Sequence, residues 1–265
     1  MRNSLTFLVG LGSTAFTASA AVTSINVTGY NRDVIVEAGA PASAAGVFDA
    51  TMDGGVTTPT GGTWYAQGYN AGAPTTGLPA PGSTIVSLLA ADHSYTFAPS
   101  YGPGNGSAGI TPNAFVVGQG SGTPVIALTT PLQYSTLSLI GSAGHGPVSV
   151  NYTITFADTT TQTGTISAGD WFNGSAAFNA NGRVTVNTGA FDNVNAGNPR
   201  LYTFDIAVTN TASKVNSVTL SSTSTTGTAA FFALSGTAAV PEPSSLLLSG
   251  LSVFGLLSFR RRASK

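Results

Sequence analysis

The sequence predicts an all-β protein: an antiparallel β-sandwich of the jelly-roll kind, flanked by an N-terminal signal peptide and a short C-terminal hydrophobic helix. Apolar and polar residues alternate over several short runs, which is the periodicity of β-strands. Residues typical of turns, chiefly Gly and Asn, separate these runs. No stretch of the 265-residue chain has helical periodicity outside the two targeting segments at its ends.

The first twenty residues have the layout of a secretory signal peptide. Arg2 supplies a positive charge, the stretch from Leu5 to Phe16 is apolar, and Ala18-Ser19-Ala20 ends the segment with small residues. A signal peptidase requires small residues at this place. We therefore predict cleavage after Ala20, with cleavage one residue later as the alternative.

The body, residues 21–239, is expected to be one β-sandwich, with a division into two parts near Asn113 as the alternative. Its first part has few alternating runs, and the stretch from Gly54 to Gly82 is rich in Gly, Pro and Thr, which predicts long ordered loops. Three strands are predicted before residue 113, at Asp33–Glu37, Thr84–Leu89 and Tyr95–Phe97.

The second part of the body has the clearest strand signals. Val148, Val150 and Tyr152 begin an alternating run that ends at Phe156, and Thr161–Ile166 returns after a turn, which predicts a hairpin. Further strands are predicted at Ala114–Val117, Val125–Thr129, Thr136–Ile140, Tyr202–Val208, Val218–Leu220 and Phe231–Leu234.

Charge is scarce and unevenly distributed. Only 7% of the residues are charged, against about a quarter in an average soluble domain, so hydroxyl and amide groups are expected to dominate the surface. Between residues 21 and 240 there are four cations and nine anions, a net charge near −5. Such a body lacks the basic stripe that neutralises phosphates, which argues against nucleic acid as a partner.

The C-terminal end has three parts in a fixed order. Pro241-Glu242-Pro243 forms a stiff segment that resists helix formation, because each Pro fixes its own φ and restricts the preceding residue. Fourteen uncharged residues follow, from Leu246 to Phe259, and Arg260-Arg261-Arg262 closes the segment. A helix of that length spans about 21 Å, which is short for a hydrocarbon core of about 30 Å. The arginines are expected to act as a stop-transfer signal.

This order resembles the PEP-CTERM sorting domain, over Val240–Lys265. The resemblance implies a Gram-negative bacterium that makes exopolysaccharide. It also implies processing by an exosortase that recognises Pro241, Glu242 and Pro243. The protein would then be anchored in the inner membrane only transiently, before it reaches the cell surface or the extracellular matrix.

The body resembles an uncharacterised type that recurs in PEP-CTERM proteins, and also the galactose-binding-like jelly rolls of secreted bacterial proteins. The second resemblance implies a fold and not a ligand. The pieces that carry these resemblances are Gly29–Glu37, Thr63-Trp64-Tyr65, Phe156-Ala157-Asp158, Asp170-Trp171-Phe172 and Asn198–Tyr202.

No pattern in the body predicts catalysis. Asp92-His93-Ser94 contains the residue types of a hydrolase triad, but three consecutive residues cannot form one, so a structural role is expected for His93. His145 lies in a tight turn, and two histidines without HExxH spacing do not predict zinc. A glycosidase would need two facing carboxylates, which the spacing of the aspartates does not predict.

Two kinds of ligand site remain as hypotheses. A structural calcium site could use loop carboxylates, with Asp158 and Asp170 as the main candidates beside Asp49, Asp53 and Asp92, although turn formation is the favoured role of all five. A sugar platform would need exposed aromatic rings. Trp64, Tyr65, Tyr69 and Tyr101 are the candidates, whereas Trp171 is expected in the core.

These observations predict a non-enzymatic protein of the cell surface or the exopolysaccharide matrix, with a structural or interaction role and no cofactor. A secreted carbohydrate-binding module is the first alternative and a secreted hydrolase the second. The expected partners are signal peptidase, the exosortase and exopolysaccharide.

Overall fold

A computed structural model describes residues 20–37, 48–56, 60–69, 77–102, 110–192 and 197–239. These residues form seventeen β-strands and no helix. The strands are β1 (Thr23–Ile25), β2 (Val27–Thr28), β3 (Ile35–Val36), β4 (Gly62–Tyr65), β5 (Thr84–Val86), β6 (Ser94–Thr96), β7 (Phe115–Val117), β8 (Val125–Leu132), β9 (Tyr134–Gly144), β10 (Val148–Phe156), β11 (Thr161–Ala168), β12 (Phe178–Asn179), β13 (Arg183–Thr185), β14 (Ala190–Asp192), β15 (Arg200–Ala207), β16 (Val215–Ser221) and β17 (Thr228–Ala238).

The largest sheet has six antiparallel strands and contains the last strand of the body. Its order is β1-β17-β9-β15-β12, and β7 also pairs with β17. Since β9 covers one edge of β17 along its whole length, β1 and β7 share the other edge, at opposite ends. β17 is therefore a central strand, although it comes last in the chain.

A second sheet packs on one face of the six-stranded sheet. Its order is β11-β10-β16-β8-β2, and every pairing is antiparallel. Alternate apolar side chains of β10 and β16, such as Val150, Ile154 and Val218, meet Leu139 and Phe231 of the six-stranded sheet in one buried cluster. This cluster is the core of a β-sandwich, as predicted.

An outer layer covers the other face of the six-stranded sheet. It consists of the β14-β13-β4-β3 sheet and the β5-β6 hairpin, with the loops between them. Ile35, Trp64 and Tyr95 of this layer pack with Ile140 and Phe232 in a second buried cluster. The six-stranded sheet is consequently buried on both faces, and the molecule has three layers instead of two.

The predicted secondary structure is largely confirmed. The fold is all-β, and the predicted hairpin appears as β10 and β11, paired from Val148↔Ala168 to Thr155↔Thr161. The region predicted as long loops also contains β4, a fully buried strand. Strands from before and after Asn113 contribute to the same sheets, because β1 pairs with β17 and β2 with β8.

Apart from Ala20, both predicted targeting segments lie outside the described residues, including the apolar run from Leu246 to Phe259. Within the part of the chain that the structure describes, no helix is long and apolar enough to cross a membrane.

Candidate functional site

The aromatic residues predicted to form a sugar platform lie inside the protein. Trp64 and Tyr65 are fully buried, Tyr101 is 1% exposed and Tyr69 is 4% exposed. The Trp64 ring packs edge-on against Trp171 at 5.6 Å. The prediction of an exposed platform was wrong, because the side chains of β4 are covered on both sides within the outer layer. Trp171, by contrast, is buried as expected.

His93 takes part in a chain of polar contacts that links the outer layer to the six-stranded sheet. Its Nδ1 lies 2.8 Å from Asp92 Oδ1, and its Nε2 lies 3.4 Å from Asp205 Oδ2. Ser138 donates a hydrogen bond to Asp205 Oδ1 at 2.5 Å, and Tyr95 OH lies 2.7 Å from the Ser138 hydroxyl. Ser138 is completely buried, so this arrangement holds two layers together.

The five aspartates considered as calcium ligands lie at separate places in the fold. Asp158 accepts hydrogen bonds from the backbone and side chain of Thr160, and these bonds lower its pKa. Asp170 accepts hydrogen bonds from the backbone N–H of Gly146 and Phe172. Within the described ranges, no group of three His, Asp or Glu residues could hold a metal ion.

The other three aspartates pair with basic side chains. Asp49 Oδ2 accepts a hydrogen bond from Arg32 at 3.3 Å, and Asp92 contacts His93 as described. Asp53 Oδ2 accepts one from Arg183 at 2.8 Å. The guanidinium of Arg183 also lies 5.4 Å from the centre of the Trp171 ring, within the range of a cation–π contact.

An open polar groove lies beside Asp53. Its volume is about 570 Å³, and it is lined by Asp53, Gly54, Thr60, Gln119, His145, Thr225 and Thr226. These residues come from four separate segments of the chain, so only the folded protein brings them together. The groove could not be predicted from the sequence, because its lining residues form no motif and none of them is aromatic.

Two residues of the groove have an unusual backbone. His145 has φ of 52° and Gln119 has φ of 46°, both in the left-handed region that residues other than Gly rarely adopt. The Gln119 side chain donates a hydrogen bond to the carbonyl of Thr226 at 2.6 Å. His145 is exposed, in the turn between β9 and β10.

Outside the groove and the body, residues 239–262 match the model of a known family, the PEP-CTERM protein-sorting motif. The chain carries a PEP-CTERM sorting motif. The match includes the predicted signal Pro241-Glu242-Pro243 and the predicted stop-transfer residues Arg260-Arg261-Arg262, all of which lie outside the described residues. No curated protein matches the chain.

The PEP-CTERM motif implies that the protein is exported, that it is processed at the membrane, and that an exosortase is its processing partner. The motif begins at residue 239, directly after β17 ends at Ala238. The other end of the body lies beside it, because Thr23 at the start of β1 pairs with Gly236. All seventeen described strands therefore lie between the predicted signal peptide and the PEP-CTERM motif.

Proposed function

We propose that this chain is a non-enzymatic protein of the cell surface or the exopolysaccharide matrix, with a structural or interaction role after both of its ends have been removed. The PEP-CTERM motif at residues 239–262 is the observation that carries this proposal, because it implies export and processing by an exosortase. Proteins with such a destination act outside the membrane that processes them.

The position of the motif relative to the body supports the proposal. All seventeen described strands lie between Thr23 and Ala238. Cleavage after Ala20 and within or after Pro241-Glu242-Pro243 would remove none of them. A processed protein would keep both hydrophobic clusters of the sandwich and its outer layer.

The described body also supports a role without catalysis. His93 is engaged with Asp92 and Asp205, and the hydroxyl nearest to them, that of Ser138, is completely buried. Asp158 and Asp170 use their carboxylates to close separate turns. The proposal includes no cofactor.

Intact-mass spectrometry of the protein secreted by its host tests the processing. We expect a product that has lost residues 1–20 and the region after about Pro243. Replacing Glu242 with Ala should leave the tail attached, because the exosortase would no longer recognise its signal. Pro112→Ala, at an exposed proline of the body, is the control and should be processed normally. A secreted product that still carries Arg260 to Lys265 would contradict the proposal.

A carbohydrate-binding module is a second candidate function, and the polar groove beside Asp53 is the observation that favours it. Its lining groups are a carboxylate, an amide, an imidazole and three hydroxyls, which are suited to hydrogen-bonding the hydroxyls of a sugar. In this candidate the buried aromatic residues have no contact with the ligand.

A further inference from the structure

We propose that the groove lined by Asp53, Thr60, Gln119, His145 and Thr226 binds an uncharged saccharide unit. This inference rests on the second candidate function and deepens it, because it assigns a site and a class of ligand. It does not depend on how the tail is processed.

The chemistry of the lining selects the class of ligand. Asp53 accepts hydrogen bonds, whereas Gln119, His145 and the three threonines can both donate and accept them. Saccharide hydroxyls likewise do both. Neither Lys nor Arg is among the lining residues, and the body has a net negative charge. A phosphate or a uronic acid would therefore find no Lys or Arg among the described lining residues, and the carboxylate of Asp53 is already paired with Arg183.

The dimensions of the groove fit a small sugar. Its volume of about 570 Å³ is within the range of about 300 to 1,000 Å³ that is usual for small-molecule sites. The groove is largely open to solvent, so one unit of a longer polysaccharide could enter without a free chain end.

The side chain and loop that form one wall are fixed in place. Asp53 Oδ2 accepts hydrogen bonds at 2.8 Å from both the backbone N–H of Gly62 and Arg183. Thr51 closes the same loop, because its hydroxyl donates to the carbonyl of Thr60 and accepts from the N–H of Gly54. Because this wall is already ordered, binding of a ligand here costs little conformational entropy.

Two lining residues outside this loop are held in an unfavourable backbone conformation. Among the described residues, only three other than Gly have positive φ, and two of them, Gln119 and His145, line the groove. The left-handed conformation costs such a residue about 1–2 kcal/mol. Glycine would remove this cost, but it would also remove a side chain that faces the groove. Strain of this kind is concentrated at binding and catalytic sites.

A buried hydroxyl beside the same wall lacks a hydrogen-bond partner. Thr228 is fully buried and its Oγ1 forms no hydrogen bond in the structure. It packs against Gly55, where any side chain would collide with Thr228 Oγ1 and with Gln119. Polar groups left unsatisfied in this way are uncommon in folded proteins. Thr228 is not among the residues that line the groove, so this hydroxyl belongs to the packing behind the wall and not to the ligand surface.

Ligand-observed NMR titration of the secreted protein with maltose, cellobiose and lactose tests this inference, with glucuronic acid as the charged probe. We expect saturable binding of at least one neutral disaccharide, with a Kd near the millimolar range because the groove offers no aromatic ring for stacking. Glucuronic acid should bind at least tenfold more weakly. Absence of binding for all three disaccharides, or equal binding of glucuronic acid, would overturn the inference.

A pair of glycine substitutions separates a ligand contact from a general effect on folding. His145→Gly should leave the melting temperature unchanged or raise it, because the strain is relieved, and should weaken disaccharide binding at least tenfold. Thr159→Gly is the matched control: Thr159 has φ of 69° but lies in the β10–β11 turn and does not line the groove. It should change stability in the same direction and leave binding unaltered. Undiminished binding in His145→Gly would refute the assignment of the site.

Mass spectrometry of the secreted protein and the disaccharide titration test the two proposals independently. Loss of the tail without disaccharide binding would leave the proposed processing intact and reject the groove. Disaccharide binding by a protein that keeps Arg260 to Lys265 would reject the processing and leave the groove intact.

Discussion

Asp33 illustrates how a buried carboxyl group can make folding depend on pH. It is completely buried at the start of the outer layer, where Thr111 donates a backbone hydrogen bond at 3.0 Å and Asn113 a side-chain bond at 2.6 Å. Burial raises the pKa of Asp33 to about 8, and the neighbouring carboxylates of Glu37 and Asp49 add to the rise. The two hydrogen bonds oppose it without cancelling it.

We predict that Asp33 makes the protein less stable as the pH rises from about 4 to about 8. In this interval the folded protein holds a proton on Asp33 that the unfolded chain has released, so stability falls by up to about 1.4 kcal/mol for each pH unit. Asp33→Asn cannot ionise, and its melting temperature should decline less steeply across this interval. Thermal unfolding measured at several pH values checks the slope.

Asp158→Asn is the control for this prediction. The pKa of Asp158 is lowered by its bonds to Thr160, so this residue stabilises the folded protein at higher pH and loses that effect as the pH falls through its folded-state pKa. Asp158→Asn should therefore change the melting temperature only on the acid side of its pH profile. An Asp33→Asn protein with the original slope between pH 4 and 8 would show that Asp33 does not hold its proton.

Roles that depend on the local chain could be predicted for single residues, whereas the burial of Trp64 could not. The turn at Asp158 is formed by residues two positions apart, so its role follows from the residue type. Trp64 is buried by Trp171 and Phe232, which are remote in sequence. Gln119 and His145 are brought to one groove by the packing of distant turns, and no spacing in the sequence indicates this.

At the scale of elements, β17 shows how one strand can serve two cores. Phe231 and Leu234 face the second sheet, whereas Phe232 and Ala233 face the outer layer. Two consecutive residues share a face because the register with β9 shifts between Phe231 and Ala233. This β-bulge interrupts the alternation of the strand. The nearly continuous apolar run of β17 is the sequence signal of a strand buried on both faces.

Gly141 of β9 allows β17 to approach closely at this bulge. A Cβ atom on Gly141 would lie 2.3 Å from the carbonyl oxygen of Ala230 and 2.7 Å from the Phe231 ring. We predict that Gly141→Ala lowers the free energy of unfolding by about 1–3 kcal/mol, because the backbone of β17 must shift. Chemical denaturation of the purified protein measures this change.

Gly164→Ala on β11 is the matched control, since it makes the same change within a strand. There the added Cβ would meet the end of the Tyr152 side chain, which is partly exposed and can move away. Its cost should be clearly smaller than that of Gly141→Ala. Equal costs for the two variants would show that the contact with Ala230 does not limit packing.

The sequence predicted elements best where neighbours in the chain are also neighbours in the sheet. The β10–β11 hairpin is such a case, because its alternation and its turn are both local. β3 and β4 are parallel strands separated by a long segment, and β13 completes their sheet from more than a hundred residues away. Short lengths and remote partners explain why β4 and β13 were not predicted, whereas β3 falls within the predicted strand Asp33–Glu37.

On the scale of the whole molecule, the position of β17 determines where the chain can be shortened. We predict that a chain ending at Ala239 folds cooperatively, because it keeps every described strand. A chain ending at Gly227 lacks β17, which leaves β1 and β7 without their pairing strand and opens both cores. Circular dichroism during heating distinguishes the two, since only the longer chain should show a sharp transition. A cooperative transition in the shorter chain would contradict this role of β17.

The central position of the final strand also sets the time at which an exported chain can become compact. A chain that crosses a membrane from its N-terminus delivers residues 228–238 after all other strands. β1 and β7 cannot form their pairings before β17 has crossed. Neither core can therefore close while the rest of the body is still passing through the translocation channel. We therefore expect the polypeptide to stay unfolded enough to pass through the channel until export is nearly finished. Once β17 has crossed, β1 and β7 can pair with it and both cores can close.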